Sequence, residues 1–273
     1  MATIFNSLLL RYGELFLKGK NRAFFEKKLV GNLKVITEIK KVKNLGGRFS
    51  VDFFPEHQQL KKVFGLVSYS PAIKIEKDLQ LIQQKALELL KPKKGTFKIT
   101  TKRSDKTFPI TSLKLNQLIG EFIEKNSPLQ FALTNPDTIL NLEINQDGAY
   151  FFFESIPCFG GLPTGIEGKV WLLLEDQASV LAGILFLKRG CHLNLIALEE
   201  QDFSLLQQFS PQVLKLNLIK KFSELEVQIK HGVLVSGQNL ENYQNYGLNL
   251  TVLRPLIAYD PNEIKEELCK FKP

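Results

Sequence analysis

Val170 to Leu174 is an unbroken run of five apolar residues, and it sets the narrowest limit on the fold. A strand with one wet face alternates apolar and polar residues, whereas a short continuous run suits a strand covered on both faces, as in a parallel sheet. A parallel neighbour needs a crossover. A helix pattern does follow, from about Gln177 to Arg189, with Gly190 where a left-handed residue would end it. Leu193 to Leu198 and Gly232 to Val235 read as further buried strands. Asp260, Pro261 and Glu263 spell an N-cap, an N1 proline and a capping-box acid for a last helix. The last third is therefore expected to be α/β with a mostly parallel sheet.

Upstream the pattern is α+β. Phe5 to Arg11 reads as a strand, and Phe24, Phe25, Leu29, Leu33 and Ile36 fall near helical spacing. After Gly46-Gly47, Arg48 to Phe54 resumes as a strand, and Leu60 to Phe64 is a short helical stretch ending at Gly65. A second unit starts near Tyr69 with a strand at Ala72 to Glu76 and a helix carrying Leu79, Ile82, Ala86 and Leu89. A basic turn at Lys91 to Gly95 leads into the alternating strand Thr96 to Arg103, and a helix follows Thr111. Thr138 to Ile144 and Ala149 to Ser155 pair as a hairpin through Asp147-Gly148. The Gly-Pro-rich stretch Phe159 to Gly168 leads into the last third.

Charge divides the chain unevenly. Residues 1–110 carry 23 Lys and Arg against 9 Asp and Glu, whereas the remainder carries 13 against 19. A polyanion suits the first part, because lysine and arginine displace counterions condensed on phosphates; a solvated lysine-rich surface is the alternative. No signal peptide or membrane span is legible, since Arg11 interrupts the only early apolar run. Cys158, Cys191 and Cys269 are odd in number and far apart, and with His57, His192 and His231 they make no ligand spacing. A cytoplasmic protein without a structural metal or a membrane partner is expected.

Arg11-Tyr-Gly-Glu-Leu-Phe-Leu-Lys-Gly-Lys-Asn-Arg22 resembles the opening motif of the tRNA 4-thiouridine synthetases, or tRNA sulfurtransferases. Lys102-Arg103-Ser-Asp-Lys106, Phe108-Pro-Ile-Thr-Ser112 and Thr134-Asn-Pro-Asp137 resemble that family's THUMP domain. Phe159-Gly-Gly-Leu-Pro-Thr-Gly165 is similar to its link into the catalytic domain, and Leu253 to Ile257 with Asp260 and Glu263-Ile264 to a late catalytic motif. The resemblance implies a ferredoxin-like domain at 1–70, an RNA-binding THUMP domain at 71–162, and a shortened, degenerate PP-loop-like parallel-sheet domain at 163–273. In the family the first two domains hold tRNA, while the third adenylates a uridine with ATP and exchanges the adenylate for sulfur.

The candidate RNA-binding residues are Lys18, Lys20, Arg22, Lys98, Lys102, Arg103, Lys106 and Phe108. Lys18, Lys20 and Arg22 flank a helix N-terminus, whose backbone donors also suit phosphate. Lys102, Arg103 and Lys106 close a strand and enter a loop, where long cations reach phosphates. Phe108 is either a base-stacking ring or a core anchor for that loop. For Arg11 a fold-holding pair with Glu14 is the plain alternative to RNA contact.

The family's ATP loop, Ser-Gly-Gly-x-Asp-Ser, aligns with Leu174-Glu175-Asp176-Gln177-Ala178-Ser179. Both glycines have become carboxylates, which would occupy the helix N-terminus themselves and repel a triphosphate. Ser236-Gly237-Gln238-Asn239-Leu240 resembles the later nucleotide-side motif with Gln238 in place of its acid. The family's sulfur-carrying cysteine would fall beyond Pro273, and Cys269 lies too early to replace it; a packed helix cysteine is expected there. These departures point to a tRNA-binding relative with no catalytic residues and no cofactor. An active or split sulfurtransferase, using ATP and Mg through an unusual loop or a partner subunit, is one alternative. A non-RNA assembly subunit is another. A protein partner or homodimer is left open.

Overall fold

The computed structural model describes residues 5–13, 19–230 and 232–272. They fall into two compact units: residues 5–11, 41–57 and 68–157, and the remainder, residues 12–40, 58–67 and 158–272. Strand β1 (Ser7–Tyr12) leads to helix α1 (Arg22–Thr37), then to β2 (Lys43–Asn44), β3 (Phe49–Asp52), a 3-10 turn (His57–Lys62) and β4 (Leu66–Ile75). There follow α2 (Leu79–Leu90), β5 (Thr96–Arg103), α3 (Ser112–Asn126), β6 (Gln130–Phe131), β7 (Thr138–Asn145), β8 (Gly148–Phe152) and β9 (Ile156–Pro157).

The first unit is built on one nine-stranded sheet in the order β2-β3-β1-β4-β8-β7-β5-β6, with β9 beside β4. Asp78 caps α2 by accepting from Leu81 N at 2.9 Å, and Thr111 caps α3 through Lys114 N at 3.3 Å. The apolar stripes of both helices, with Ile82, Ala86, Leu115 and Ile119, pack on Phe97, Ile99, Leu140, Leu142 and Ile144 of β5 and β7. Because strand side chains alternate, residues 98, 100 and 102 of β5 and 141, 143 and 145 of β7 point to the opposite face.

Strand β4 is longer than the sequence suggests, running from Leu66 rather than Ala72. Pro71 explains the early reading as a break. It lies between the residues paired with β9 (Ser68, Tyr69) and those paired with β8 (Ile73 to Ile75), so its missing N–H falls where β4 changes partners.

The second unit holds α1, β10 (Lys169–Leu173), α4 (Gln177–Lys188), β11 (His192–Ala197), α5 (Ser204–Phe209), β12 (Leu216–Leu218), α6 (Ser223–Ile229), β13 (Val233–Val235), β14 (Thr251–Leu253) and α7 (Pro261–Cys269). Its sheet is parallel throughout, in the order β12-β11-β10-β13-β14. The apolar run that opened the argument is the central strand, hydrogen-bonded on both sides. Gly190 ends α4 with φ 93°, and Asp260 with Glu263 caps α7 reciprocally. Helix α1 is held here by Asn32 Nδ2 donating to Thr164 O at 3.0 Å.

Several phenylalanines pack this core: Phe64 stacks on Phe209 at 5.4 Å, and Phe159 meets Phe271 at 4.5 Å. Cys269 departs from expectation, because it ends α7 exposed rather than packed. Among the described residues no helix is long and apolar enough to cross a membrane.

Candidate functional site

In an open parallel sheet, ligands bind at the carboxyl ends of strands where the winding direction reverses. Here that point lies between β10, whose crossover leads to β11, and β13 on its other side. Two loops meet there, Leu174 to Asp176 before α4 and Ser236 to Leu240 after β13.

The N-terminus of α4 faces this crevice with the N–H groups of Glu175, Asp176 and Ser179 already engaged. Asp176 Oδ1 accepts from Ser179 N at 2.9 Å, and Ser179 Oγ accepts from the backbone N–H of Glu175 and of Asp176, each at 3.0 Å. The Ser179 hydroxyl in turn donates to Asp176 O at 2.6 Å. Gly237 presses on the same turn: a Cβ there would lie 2.3 Å from Ser179 N, so only glycine permits the approach. Leu174, Ala178 and Ser179 are buried, while Glu175, Asp176 and Gln177 are exposed.

Glu175 is tied across the crevice. The Tyr246 hydroxyl donates to its Oε2 at 2.9 Å and also lies 2.9 Å from Ser236 Oγ. Partial desolvation pushes the Glu175 carboxyl above the usual range; the tyrosine bond opposes this and neighbouring Asp176 adds to it. Burial, foremost, also raises the Tyr246 phenol. Arg254 donates to Gln238 Oε1 at 3.0 Å and Gln244 O at 3.2 Å, with its guanidinium 4.8 Å from the Tyr243 ring and 5.6 Å from that of Tyr246. Gln238 therefore engages the arginine where an acid would stand in the family's motif.

The eight RNA candidates separate by environment. Lys20, Lys102 and Lys106 are exposed cations. Lys98 bonds Leu133 O at 3.1 Å. Arg103 is committed to the fold, donating to Phe108 O at 2.5 Å and Ile110 O at 3.2 Å. Arg22 is bound by Glu26 Oε1 at 2.7 Å and the Tyr12 hydroxyl at 2.8 Å, and the Glu26 bond is the main reason its pKa rises. Phe108 is 7% exposed within the helix-packed core, which corrects the base-stacking expectation: its ring anchors the loop and offers no face to a base. Lys18, and the Glu14 suggested as partner to Arg11, lie outside the described residues.

Arg11 donates to Ser70 Oγ at 2.9 Å, with its guanidinium 4.8 Å above the Phe152 ring. Sequence reasoning passed over Tyr246 and Glu143. Glu143 did carry a signal, being the one charged position between Leu142 and Ile144 of a core strand. Tyr246 carried none, because it sits in irregular chain.

The THUMP domain family matches residues 76–154, and the ThiI ferredoxin-like domain matches residues 7–70. A probable tRNA sulfurtransferase of Brevibacillus brevis is 39% identical over 213 residues, covering 73% of this chain; the chain spans about half, 53%, of that relative's length. A probable tRNA sulfurtransferase of Mycoplasmopsis synoviae is 33% identical over 312 residues, covering 96% of this chain and 83% of the relative. Among solved structures, a 4-thiouridine synthetase–RNA complex with bound ATP superposes with a TM-score of 0.79 at 25% identity, covering 98% of this chain and 85% of that one. With its ferredoxin-like and THUMP domains, its parallel sheet and this extent of identity, the chain belongs to the tRNA sulfurtransferase family.

Proposed function

We propose that this chain is a cytoplasmic tRNA-binding protein of that family whose crevice does not accept ATP in the family's manner, leaving adenylation and sulfur transfer out of its activity. The division of labour follows three domains, at 1–70, 71–162 and 163–273, with RNA held by the first two. One observation carries the reading. The α4 N-terminus, where a pyrophosphate would sit, is capped by Asp176 and Ser179, covered by the Gly237 backbone, and faced by the Glu175–Tyr246 pair. Carboxylates at a helix N-terminus satisfy the same donors and potential that an anion would use. The tRNA half of the proposal is supported by the basic excess of residues 1–110 and by the exposed Lys20, Lys102 and Lys106.

The test measures tRNA binding across a salt series and ATP binding by calorimetry on the same sample, with a Lys102→Ala/Lys106→Ala double variant. Tight, salt-sensitive tRNA binding weakened by the variant, without heat from ATP, is the expected result. Clear ATP binding would restore the enzymatic reading, and salt-insensitive or absent tRNA binding would remove the RNA one.

A further inference from the structure

Helix α1 buries one face in the second unit through Phe25, Leu29 and Leu33, and leaves another bare. The bare face carries Phe24 at 63% exposure and Val35 at 60%, with Lys27, Lys28 and Gly31 between them. At about 100° per residue these five fall within a sector of about 100°, forming one stripe about three turns long. A groove of about 450 Å³ runs along it, lined by these residues together with His192, Pro211 and Gln212. His192 opens β11 and Pro211 precedes β12, so the groove lies at the amino ends of those strands, away from the crevice at the carboxyl ends. Lys28 Nζ lies 3.4 Å from His192 Nε2 and joins the helix to β11.

Gly31 is the residue that the chain's own packing does not explain. Glycine inside a helix is destabilising relative to alanine. Yet a Cβ at Gly31 would meet nothing of the rest of the chain within 4 Å, and its φ is not in the left-handed region. Gly183 in α4 is the opposite case: a Cβ there would lie 2.6 Å from Leu172 Cδ2, so internal packing requires glycine. A missing side chain within an exposed stripe lets the backbone of a second helix approach, because side chains at the crossing set the distance between axes.

Charge narrows what that helix must be. The single carboxylate of α1, Glu26, pairs with Arg22 at 2.7 Å, and among the described residues no acid lines the groove. Lys27 and Lys28 therefore call for anionic groups beside an apolar surface that can cover Phe24 and Val35. A phosphate backbone offers Val35 nothing to bury against, whereas an amphipathic helix supplies an apolar stripe and flanking carboxylates together. We infer that this groove docks an acidic amphipathic helix of a partner protein, about three turns long, with its apolar residues on Phe24 and Val35 and its carboxylates opposite Lys27 and Lys28.

The test measures fluorescence anisotropy of the full chain with three labelled peptides of about 16 residues. One has leucines on a single helical stripe with glutamates flanking it, the second replaces those glutamates by lysines, and the third scrambles the first. The wild type should bind the first at least about tenfold more tightly than either of the others. Phe24→Ala and Val35→Ala should each weaken that binding by at least about fivefold, with tRNA affinity unchanged. Lys27→Glu should weaken it by about tenfold. Gly31→Ala should raise the thermal unfolding midpoint of the free chain while weakening the peptide, a combination that a glycine serving the chain's own fold would not give. Failure of the acidic peptide to bind, or equal binding of the scrambled one, would overturn the inference. So would a lowered midpoint in Gly31→Ala. A matching loss of tRNA affinity in Phe24→Ala and Val35→Ala would overturn it too, assigning the stripe to RNA.

Discussion

Lys102 and Arg103 are chain neighbours of the same charge, but the pleat of β5 sends them to opposite faces. Lys102 stands exposed, and Arg103 reaches back to the carbonyls of Phe108 and Ile110. Arg103→Ala should therefore cost about 1.5–3 kcal/mol of stability in urea unfolding, the range for hydrogen bonds to a charged group. Lys102→Ala should stay within about 0.5 kcal/mol, as for a free surface residue. Asp105 lies in the same loop and is held near about 2 by the Lys77 ammonium at 2.6 Å, with Thr107 donating as well. Its folded pKa is below the unfolded value near 3.9, so its contribution is complete above about pH 4 and fades as pH falls toward 2. Asp105→Asn should be less stable than wild type at pH 6, with a gap that narrows over that interval. An unchanged gap at low pH would show that the carboxylate is not the source. The basic character of this segment was legible in the sequence. The division of roles was not, because alternation assigns faces only within the strand, and it is the loop's return path that delivers two carbonyls to Arg103.

At the scale of elements, the signals that served were those with local chemistry: the apolar run of β10, the left-handed Gly190, the Asp260–Pro261–Glu263 start of α7, and the Asp147-Gly148 turn. Strands β12 and β14 escaped because three residues are too few to display a period, and each is defined only by the parallel neighbour it pairs with. The candidate crevice divides in the same way. Its acidic loop was readable from Glu175 and Asp176, but the closure from above depends on a residue with no side chain. Gly237→Ala would bring a Cβ to 2.3 Å from Ser179 N, against backbone that cannot swing away as a flexible side chain would. It should destabilise the second unit by about 1–3 kcal/mol, the usual range for overpacking. Asp176→Ala should cost about 0.5–2 kcal/mol through loss of the cap. If Gly237→Ala proves neutral, the two loops are not in contact and the crevice is open.

For the whole molecule, the net charge of +8 conceals an excess of 14 positive charges in residues 1–110 and a deficit of 6 in the rest. Polyanion affinity should therefore reside in the first part of the chain, and the response of the crevice to ATP is separable from it by experiment. The single tryptophan makes this practicable, because Trp171 lies in β10, the central strand leading into the crevice, and reports the second unit alone. A ligand present at 100 times its Kd stabilises the folded state by about 2.7 kcal/mol, provided it binds only that state. ATP with Mg at such an excess over a micromolar Kd should nevertheless leave the Trp171-monitored unfolding midpoint unchanged, since carboxylates stand at the α4 N-terminus and repel the triphosphate. Replacing Glu175 and Asp176 by glycine removes both the cap and the carboxylate that Tyr246 holds. If those two residues alone exclude the triphosphate, the doubly substituted protein should gain an ATP-dependent rise in midpoint from a lower baseline. A rise already present in the wild type would mean that the crevice rearranges around nucleotide, and that the chain retains the first half of its family's chemistry.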